Sequence, residues 1–376
     1  MKRLLTIGHS YVVAQNRRLA HEMAVQGAGR WDVTAAAPAR FAGDLRALEL
    51  EPIAGEACRV VALPVRFDRV PQLMMYGSGL RRLLAQEWDV VHCWEEPYVA
   101  AAFQIARGIR RTPRLVFASF QNISKRYPPP FNWFERYLVR RSAGWIAFGG
   151  TIAETLASRN GYSGRPSRVI PPGVDVERFA PDAAARARVR RRFGWDDGVP
   201  VVGFVGRFVE AKGVRLLTSL LQSLGTPWRA LFVGNGPERQ HVQAFAAAHQ
   251  GRVAVITDAT HDDVPAYLNA MDVLCAPSQT TAKWREQFGR MSIEAMACGV
   301  PVVASDSGEI ARVLADAGVV VCERDESAWR SVLEALLNDG ARRQALADKG
   351  IVRARQSFAW PIVAARHLEF FEEVSR

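Results

Sequence analysis

The sequence predicts an α/β protein built from two doubly wound, Rossmann-like domains. Short apolar runs alternate with amphipathic helical segments along the whole chain, as parallel sheets with crossover helices require. The length of 376 residues suits two domains of about 180 residues each, large enough for proper cores. The alternation breaks at Pro171-Pro172-Gly173, where an arginine-rich helix (Arg186 to Arg192) intervenes before it resumes.

In the first half, LLTIGHS (4–10) reads as a strand and NRRLAHEMAVQG (16–27) as a helix stopped by glycine. WDVTAAAP (31–38), CRVVALPV (58–65), WDVVHCW (88–94) and RLVFASF (114–120) follow as strands, then WIAFGG (145–150) and RVIPPG (168–173). In the second half the strands are VPVVGFVG (199–206), WRALFVG (228–234), RVAVITD (252–258), DVLCAPS (272–278), VPVVAS (300–305) and GVVVCE (318–323), with helices between them. No repeat at 20–50 residues and no low-complexity tract interrupts the pattern.

A hydrophobic content of 49% with 23% charged residues is that of an ordinary globular protein. No apolar run approaches the roughly 20 residues of a membrane-spanning helix. MKRLLTIG begins like a signal peptide, but His9 and Ser10 interrupt the apolar stretch and no small-residue cleavage site follows, so a buried first strand is expected. The five cysteines (Cys58, Cys93, Cys275, Cys298, Cys322) are scattered, odd in number and without a C-x-x-C, which predicts reduced core thiols in the cytoplasm and neither disulfides nor zinc.

The net charge of +11 is uneven. Residues 1–180 carry 25 Lys/Arg against 15 Asp/Glu, whereas residues 201–376 carry 19 against 20. Within 101–150 there are nine basic residues and one acid, Glu135. Such a bias suits an anionic partner of the first half: a phospholipid surface, as in peripheral contact at the inner face of the plasma membrane, or a lipid-linked diphosphate. No nucleic-acid motif accompanies it. Base composition plus a solvated face explains the charge equally well. The segment KRYPPPFNWFERYLVRR (125–141) interleaves cations and aromatics around three prolines, either a membrane-interface surface or a proline-stiffened loop leading into a packed helix.

The stretch 286–309, EQFGRMSIEAMACGVPVVASDSGE, is the most informative. Glu286 and Glu294 bracket Phe288-Gly289 and a helical segment, so a glycine loop feeds a helix start whose backbone N–H groups and dipole suit a phosphate or sugar oxygen. Carboxylates beside it accept hydrogen bonds from sugar hydroxyls. If the segment were helical throughout, eight residues would rise about 12 Å, beyond the roughly 5–9.5 Å of glycosidase pairs, so hydrolysis is disfavoured. Two solvated glutamates remain the plain alternative.

The E-x7-E pattern with FG inside it and EAMACGVPVVAS after it resembles the retaining glycosyltransferases of family 4. IPPGVDVERFAP (170–181), GRFVEAKG (206–213), LFVGNGPE (231–238) and YLNAMDVLCAPS (267–278) extend the resemblance in the expected order. It implies the B-type glycosyltransferase architecture, two domains facing across a cleft. Residues 1–170 form an acceptor-side domain onto which a C-terminal helix (358–376) packs back, and 171–357 a nucleotide-sugar domain. The implied reaction moves a hexose-type sugar from a nucleoside diphosphate to an acceptor hydroxyl with retention, in bacterial surface or exopolysaccharide assembly. The implied partners are a nucleotide-sugar donor and a glycan or lipid-linked acceptor.

Arg207 and Lys212 lie just past a strand end, where parallel sheets bind ligands, and would neutralise charge on the departing diphosphate. No P-loop occurs, and Gly234-Asn235-Gly236 offers only part of a dinucleotide fingerprint. By the resemblance, Glu294 holds the ribose and Glu286 faces the donor sugar. Backbone N–H groups of Phe288, Gly289, Arg290, Met291 and Ser292 touch the sugar and distal phosphate. Gly206, Gly234 and Gly236 line the nucleotide pocket, and Thr257-Asp258 flank the base. With no D-x-D present, neither a metal nor another cofactor is expected.

The first half departs from the family pattern, with one glycine in IGHSYVVAQN and Gln121-Asn122 where many relatives place a sugar-contacting histidine. His92 is a substitute or a structural histidine, and His9, Gln15 and Asn16 are further acceptor-side candidates. Two rival readings stand beside transfer: a sugar-nucleotide epimerase on the same scaffold, and a non-catalytic nucleotide-sugar-binding relative.

Overall fold

The computed structural model describes residues 1–42, 47–110, 114–196 and 198–376. The chain divides into two compact units, Met1–Gly173 with Trp360–Arg376, and Val174–Ala359.

The first unit holds seven parallel strands: β1 (Lys2–Ile7), β2 (Trp31–Pro38), β3 (Arg59–Leu63), β4 (Val90–Cys93), β5 (Arg114–Ser119), β6 (Ser142–Ala147) and β7 (Ser167–Val169). Their order is β7-β6-β5-β4-β1-β2-β3. Helices cover both faces, so the central strands read as continuous apolar runs, with Leu4, Leu5, Val90 and Val91 fully buried. The order reverses between β1 and β4, and the chain after each, Gly8-His9 and Trp94-Glu95-Glu96, emerges at the carboxyl edge.

Two predicted strands end early for local reasons. The first stops at Ile7, and His9–Val12 coil into a 3₁₀ turn before helix α1 (Ala14–Gln26). The third stops at Leu63 because Pro64 cannot donate to the ladder, and Val65–Arg66 instead pair antiparallel with Met75–Tyr76. Helix α2 (Phe131–Arg141) follows β5. The C-terminal helix, Trp360–Val374, buries Val363, Ala364, Leu368, Phe370 and Phe371 in this unit's core.

The second unit holds six parallel strands: β8 (Val201–Val205), β9 (Arg229–Val233), β10 (Val253–Ile256), β11 (Val273–Ala276), β12 (Val302–Ser305) and β13 (Val319–Val321). Their order, β10-β9-β8-β11-β12-β13, reverses between β8 and β11. Apolar clusters fill both faces.

The arginine-rich segment forms a helix, Ala183–Arg192, capped by Asp182, whose carboxylate accepts the Ala185 N–H. Its arginines are not all solvated. Arg190 is 2% exposed. Arg186 and Arg190 both bind Asp272, at 2.8 and 2.5 Å, and Asp272 also accepts the Val201 N–H at 2.7 Å. One carboxylate therefore ties the helix to the entry of β8.

All five cysteines are free, and Cys58, Cys93, Cys275 and Cys298 are buried. Cys322 departs from the expectation of core thiols: it follows the last strand and is exposed. Among the described residues no helix is long and apolar enough to cross a membrane.

Burial raises the Asp272 pKa, but Arg190, Arg186 and the Val201 N–H outweigh it and hold the carboxyl below its ordinary value. Its stabilising effect is therefore complete above the ordinary aspartate pKa and fades as pH falls through the lower folded value. Asp272→Asn should cost about 3–5 kcal/mol in urea denaturation at neutral pH, and should flatten the acid limb of the stability profile. A variant as stable as the parent protein would remove this anchor from the account of the fold.

Candidate functional site

The second unit concentrates its chemistry where β8, β9, β11 and β12 end. Past β8, Gly206 has φ +147° and is followed by Arg207. A Cβ at Gly234, past β9, would lie 1.8 Å from the Gly206 carbonyl oxygen, so the two turns fit only because that side chain is absent. Hydrogen bonds zip the turns together: Phe208 N–H to the Asn235 carbonyl at 2.9 Å and Glu238 N–H to the Phe208 carbonyl at 2.9 Å. Gly236 is held in the same turn by the Asn235 side chain. Arg207 is exposed, and its guanidinium has no ion-pair partner among the described residues.

Glu210–Lys212 form a 3₁₀ turn that ends at left-handed Gly213. Lys212 Nζ lies 2.5 Å from Glu286 Oε2, and 5.2 Å from the ring centre of Trp284. Ser278, just beyond β11, donates its hydroxyl to the same oxygen at 3.0 Å. The Glu286 backbone is held by the segment beyond β12. Its N–H donates to Ser307 Oγ at 3.2 Å, and its carbonyl accepts the Glu309 N–H at 3.2 Å. Thr280 and Ser307 hydroxyls are 2.9 Å apart. Glu286 is 6% exposed and Glu294 5% exposed, so neither is a solvated surface glutamate.

Helix α3 (Arg290–Ala297) opens at Gly289, whose left-handed φ of +80° turns the loop into the helix. Phe288 is buried ahead of it. Met291 packs over Gly206, bringing the first turn of α3 to the exit of β8. One expected donor is already engaged, since the Ser292 N–H donates to the Gly289 carbonyl at 2.8 Å. The Ser292 hydroxyl, by contrast, is buried with no partner among the described residues, a polar group that a ligand would satisfy. Burial lowers the Arg290 pKa, and the Glu294 carboxylate, one turn further on, opposes that shift. Thr257 and Asp258 form the rim beyond β10, where the Thr257 carbonyl accepts the Asn235 amide at 3.1 Å.

In the first unit, His9 Nδ1 lies 2.5 Å from Glu95 Oε2, and the His9 N–H and the Tyr76 hydroxyl each donate to Glu95 Oε1 at 2.7 Å. Burial alone would lower the His9 pKa, but Glu95 outweighs it and the net shift is upward. Burial pushes half-buried Glu96 up to about 7, against the Phe120 N–H and the Ser119 hydroxyl. Gln121 and Asn122 are buried past β5, with Gln121 Nε2 donating to the Ile123 carbonyl at 3.3 Å. Gln15 and Asn16 sit in the first turn of α1, where the Asn16 amide donates to the Ser10 carbonyl.

His92 does not reach the carboxyl edge. It is fully buried, 3.0 Å from the Thr6 hydroxyl and packed against His367 and Phe371, and burial holds its pKa well below the ordinary imidazole value. Sequence reasoning also missed Ser278, Ser307, Glu309, Trp284, Tyr76 and Glu95. The signal for several was position, because each of Ser278, Ser307 and Glu95 lies within two residues of a strand's carboxyl end. Among the described residues no three His, Cys, Asp or Glu side chains are grouped to hold a metal.

The model of "Glycosyl transferases group 1" matches residues 185–353, and that of "Glycosyltransferase Family 4" matches residues 14–178. The chain is similar to a D-inositol 3-phosphate glycosyltransferase of Xylanimonas cellulosilytica, 34% identical over 254 residues, 64% of this chain and 60% of that protein's length. Another of the same name, from Salinispora arenicola, is 33% identical over 366 residues, 89% of this chain and 77% of that one. A solved glycosyltransferase of Rickettsia africae superposes with a TM-score of 0.77 at 15% identity, covering 99% of this chain and 98% of that one, a likeness of fold.

The buried Lys212–Glu286 pair makes its own prediction. Lys212→Met should destabilise the protein by about 3 kcal/mol, because it takes the lysine's positive charge away from the buried Glu286 carboxylate. Adding Glu286→Gln should recover part of the loss, a coupling of about 0.5–3 kcal/mol readable in a double-mutant cycle by urea denaturation. Strictly additive losses would mean that the pair is not coupled.

Proposed function

This chain belongs to the group 1 glycosyl transferases of family 4, and from that premise we propose that it transfers a hexose-type sugar from a nucleoside diphosphate to an acceptor hydroxyl with retention of anomeric configuration. The observation that carries the reading is the buried Glu286 carboxylate at the switch point of the second sheet, with Lys212 on one side and the opening of α3 on the other. A carboxylate in that position can grip sugar hydroxyls, while cations beside it oppose the charge of a leaving diphosphate.

In this reading the donor's diphosphate lies against Arg207, Lys212 and the first turn of α3, and Glu294 holds the ribose. Gly206, Gly234 and Gly236 leave room for the nucleotide, with Thr257 and Asp258 beside the base. The bond from the anomeric carbon to the phosphate oxygen breaks as the acceptor oxygen bonds on the same face. The acceptor's proton passes to the departing phosphate, leaving a nucleoside diphosphate. His9, made more basic by Glu95, and the amides of Gln121 and Asn122 belong to the acceptor side. The basic first unit suits an acceptor at an anionic membrane surface, in assembly of a surface or exported polysaccharide, with the enzyme at the inner face of the plasma membrane.

Screening nucleoside diphosphates by thermal shift and then measuring their release from the matching sugar nucleotides, with and without an acceptor pool, tests the reading. Arg207→Ala should keep the parent melting temperature, because the side chain is exposed, and lose roughly 10²–10³ in kcat. Full turnover in that variant would overturn the diphosphate assignment.

The charge stabilisation in this reading comes from side chains and a helix end, with no divalent ion. Transfer should therefore continue at an unchanged rate in excess EDTA. A rate that collapses with EDTA and returns with Mg²⁺ or Mn²⁺ would replace the metal-free mechanism.

A further inference from the structure

Helix α2 and the loops beside it enclose a recess of about 850 Å³ in the first unit. Lys125, Arg126, Arg136, Arg140 and Arg159 line it, with Glu135 as the one acid in its wall. That acid is fully engaged. Arg159 forks onto it at 2.9 and 2.6 Å, and the Tyr162 hydroxyl donates to it at 2.9 Å. Arg159 is in turn fixed over the Tyr127 ring, which stacks on Tyr98 with centroids 4.0 Å apart. The other four cations are exposed and have no ion-pair partner among the described residues.

Four like charges around one recess repel each other, and nothing in the wall compensates them. Guanidinium forks at this density match the oxygens of a phosphate ester. On the solvent side of α2, Trp133 is 60% exposed and Tyr137 37%, one turn apart beside Arg136 and Arg140. Exposed aromatics next to cations suit a membrane–water interface.

We propose that this recess binds the phosphate-ester headgroup of an anionic molecule, carried by a lipid or free in solution. The inference deepens the membrane-facing part of the proposed function by giving it a site, and it requires no sugar donor.

Flotation of the full chain with phosphatidic acid vesicles and with phosphatidylcholine vesicles tests the lipid source, and calorimetric titration with inorganic phosphate tests the free one. The protein should float with phosphatidic acid and not with phosphatidylcholine. Arg136→Ala/Arg140→Ala should weaken that binding roughly thirtyfold. Arg188→Ala/Arg191→Ala removes the same charge from exposed positions of the second unit and should leave binding unchanged. Trp133→Ala should weaken vesicle binding and spare phosphate binding. Phosphate binding that depends on Arg136 and Arg140, without flotation, would uphold the site and reject its membrane role. Equal losses in the two arginine pairs, or no loss in either assay from the recess pair, would overturn the proposal and leave the glycosyltransferase reading untouched.

Discussion

Glu286 is the residue on which the second unit's carboxyl edge is organised. Its side chain takes a cation from the chain after β8 and a hydroxyl from the chain after β11, and its backbone is held by the chain after β12. A Cβ at Gly308 would sit 1.8 Å from its carbonyl oxygen, so the backbone beside it closes without room for a side chain. A carboxylate buried to this depth is tolerable only with a partner, and Lys212 supplies it. The pair is a weak argument for stability as such, since apolar replacements of buried pairs are often neutral. What it secures is geometry: the three strand ends cannot shift without pulling Lys212, Ser278 or Ser307 away from Glu286.

The two sheets use the same device with different chemistry. Each reverses its strand order once, and at each reversal a buried glutamate is fixed by neighbouring loops. In the second unit a lysine meets it. In the first, a histidine and a tyrosine meet Glu95, and the balance of burial against the carboxylate leaves His9 more basic than a free imidazole. A parallel sheet opens a crevice at such a point because neighbouring crossover helices leave in opposite directions. The fold therefore decides where polar groups can converge, and the loop residues decide what they do there.

Much of this was legible in the sequence. The strand runs are apolar because both sheet faces are covered, so their positions could be read, with errors at the ends: at Pro64, after Ile7, at Gly149-Gly150, and after Val169, where Pro171-Pro172 follow. The E-x7-E segment, its glycine and its helix were readable because each has a local signature. What one chain position could not disclose was pairing across distance. Lys212 and Glu286 are 74 residues apart, and nothing local says that they touch. The role of the arginine-rich helix could not be read, because composition hides that Arg190 and Arg186 share Asp272. Whether His92 was a substitute or a structural histidine could not be read, because the C-terminal helix that covers it lies far away in sequence.

Charge bias separates the cations that serve the fold from those that do not. Arg17, Arg159 and Arg190 each meet a carboxylate, and their burial is compensated locally. Lys125, Arg126, Arg136 and Arg140 meet none among the described residues and crowd one recess. Clustered like charge disfavours the compact state, so a chain shaped by stability alone would disperse it. Natural sequences depart from local consistency chiefly at functional sites. Nearby, Glu135 could have offset the excess, but Arg159 donates to both its oxygens and the Tyr162 hydroxyl shares Oε1. The recess keeps its positive charge because its one acid holds the wall together.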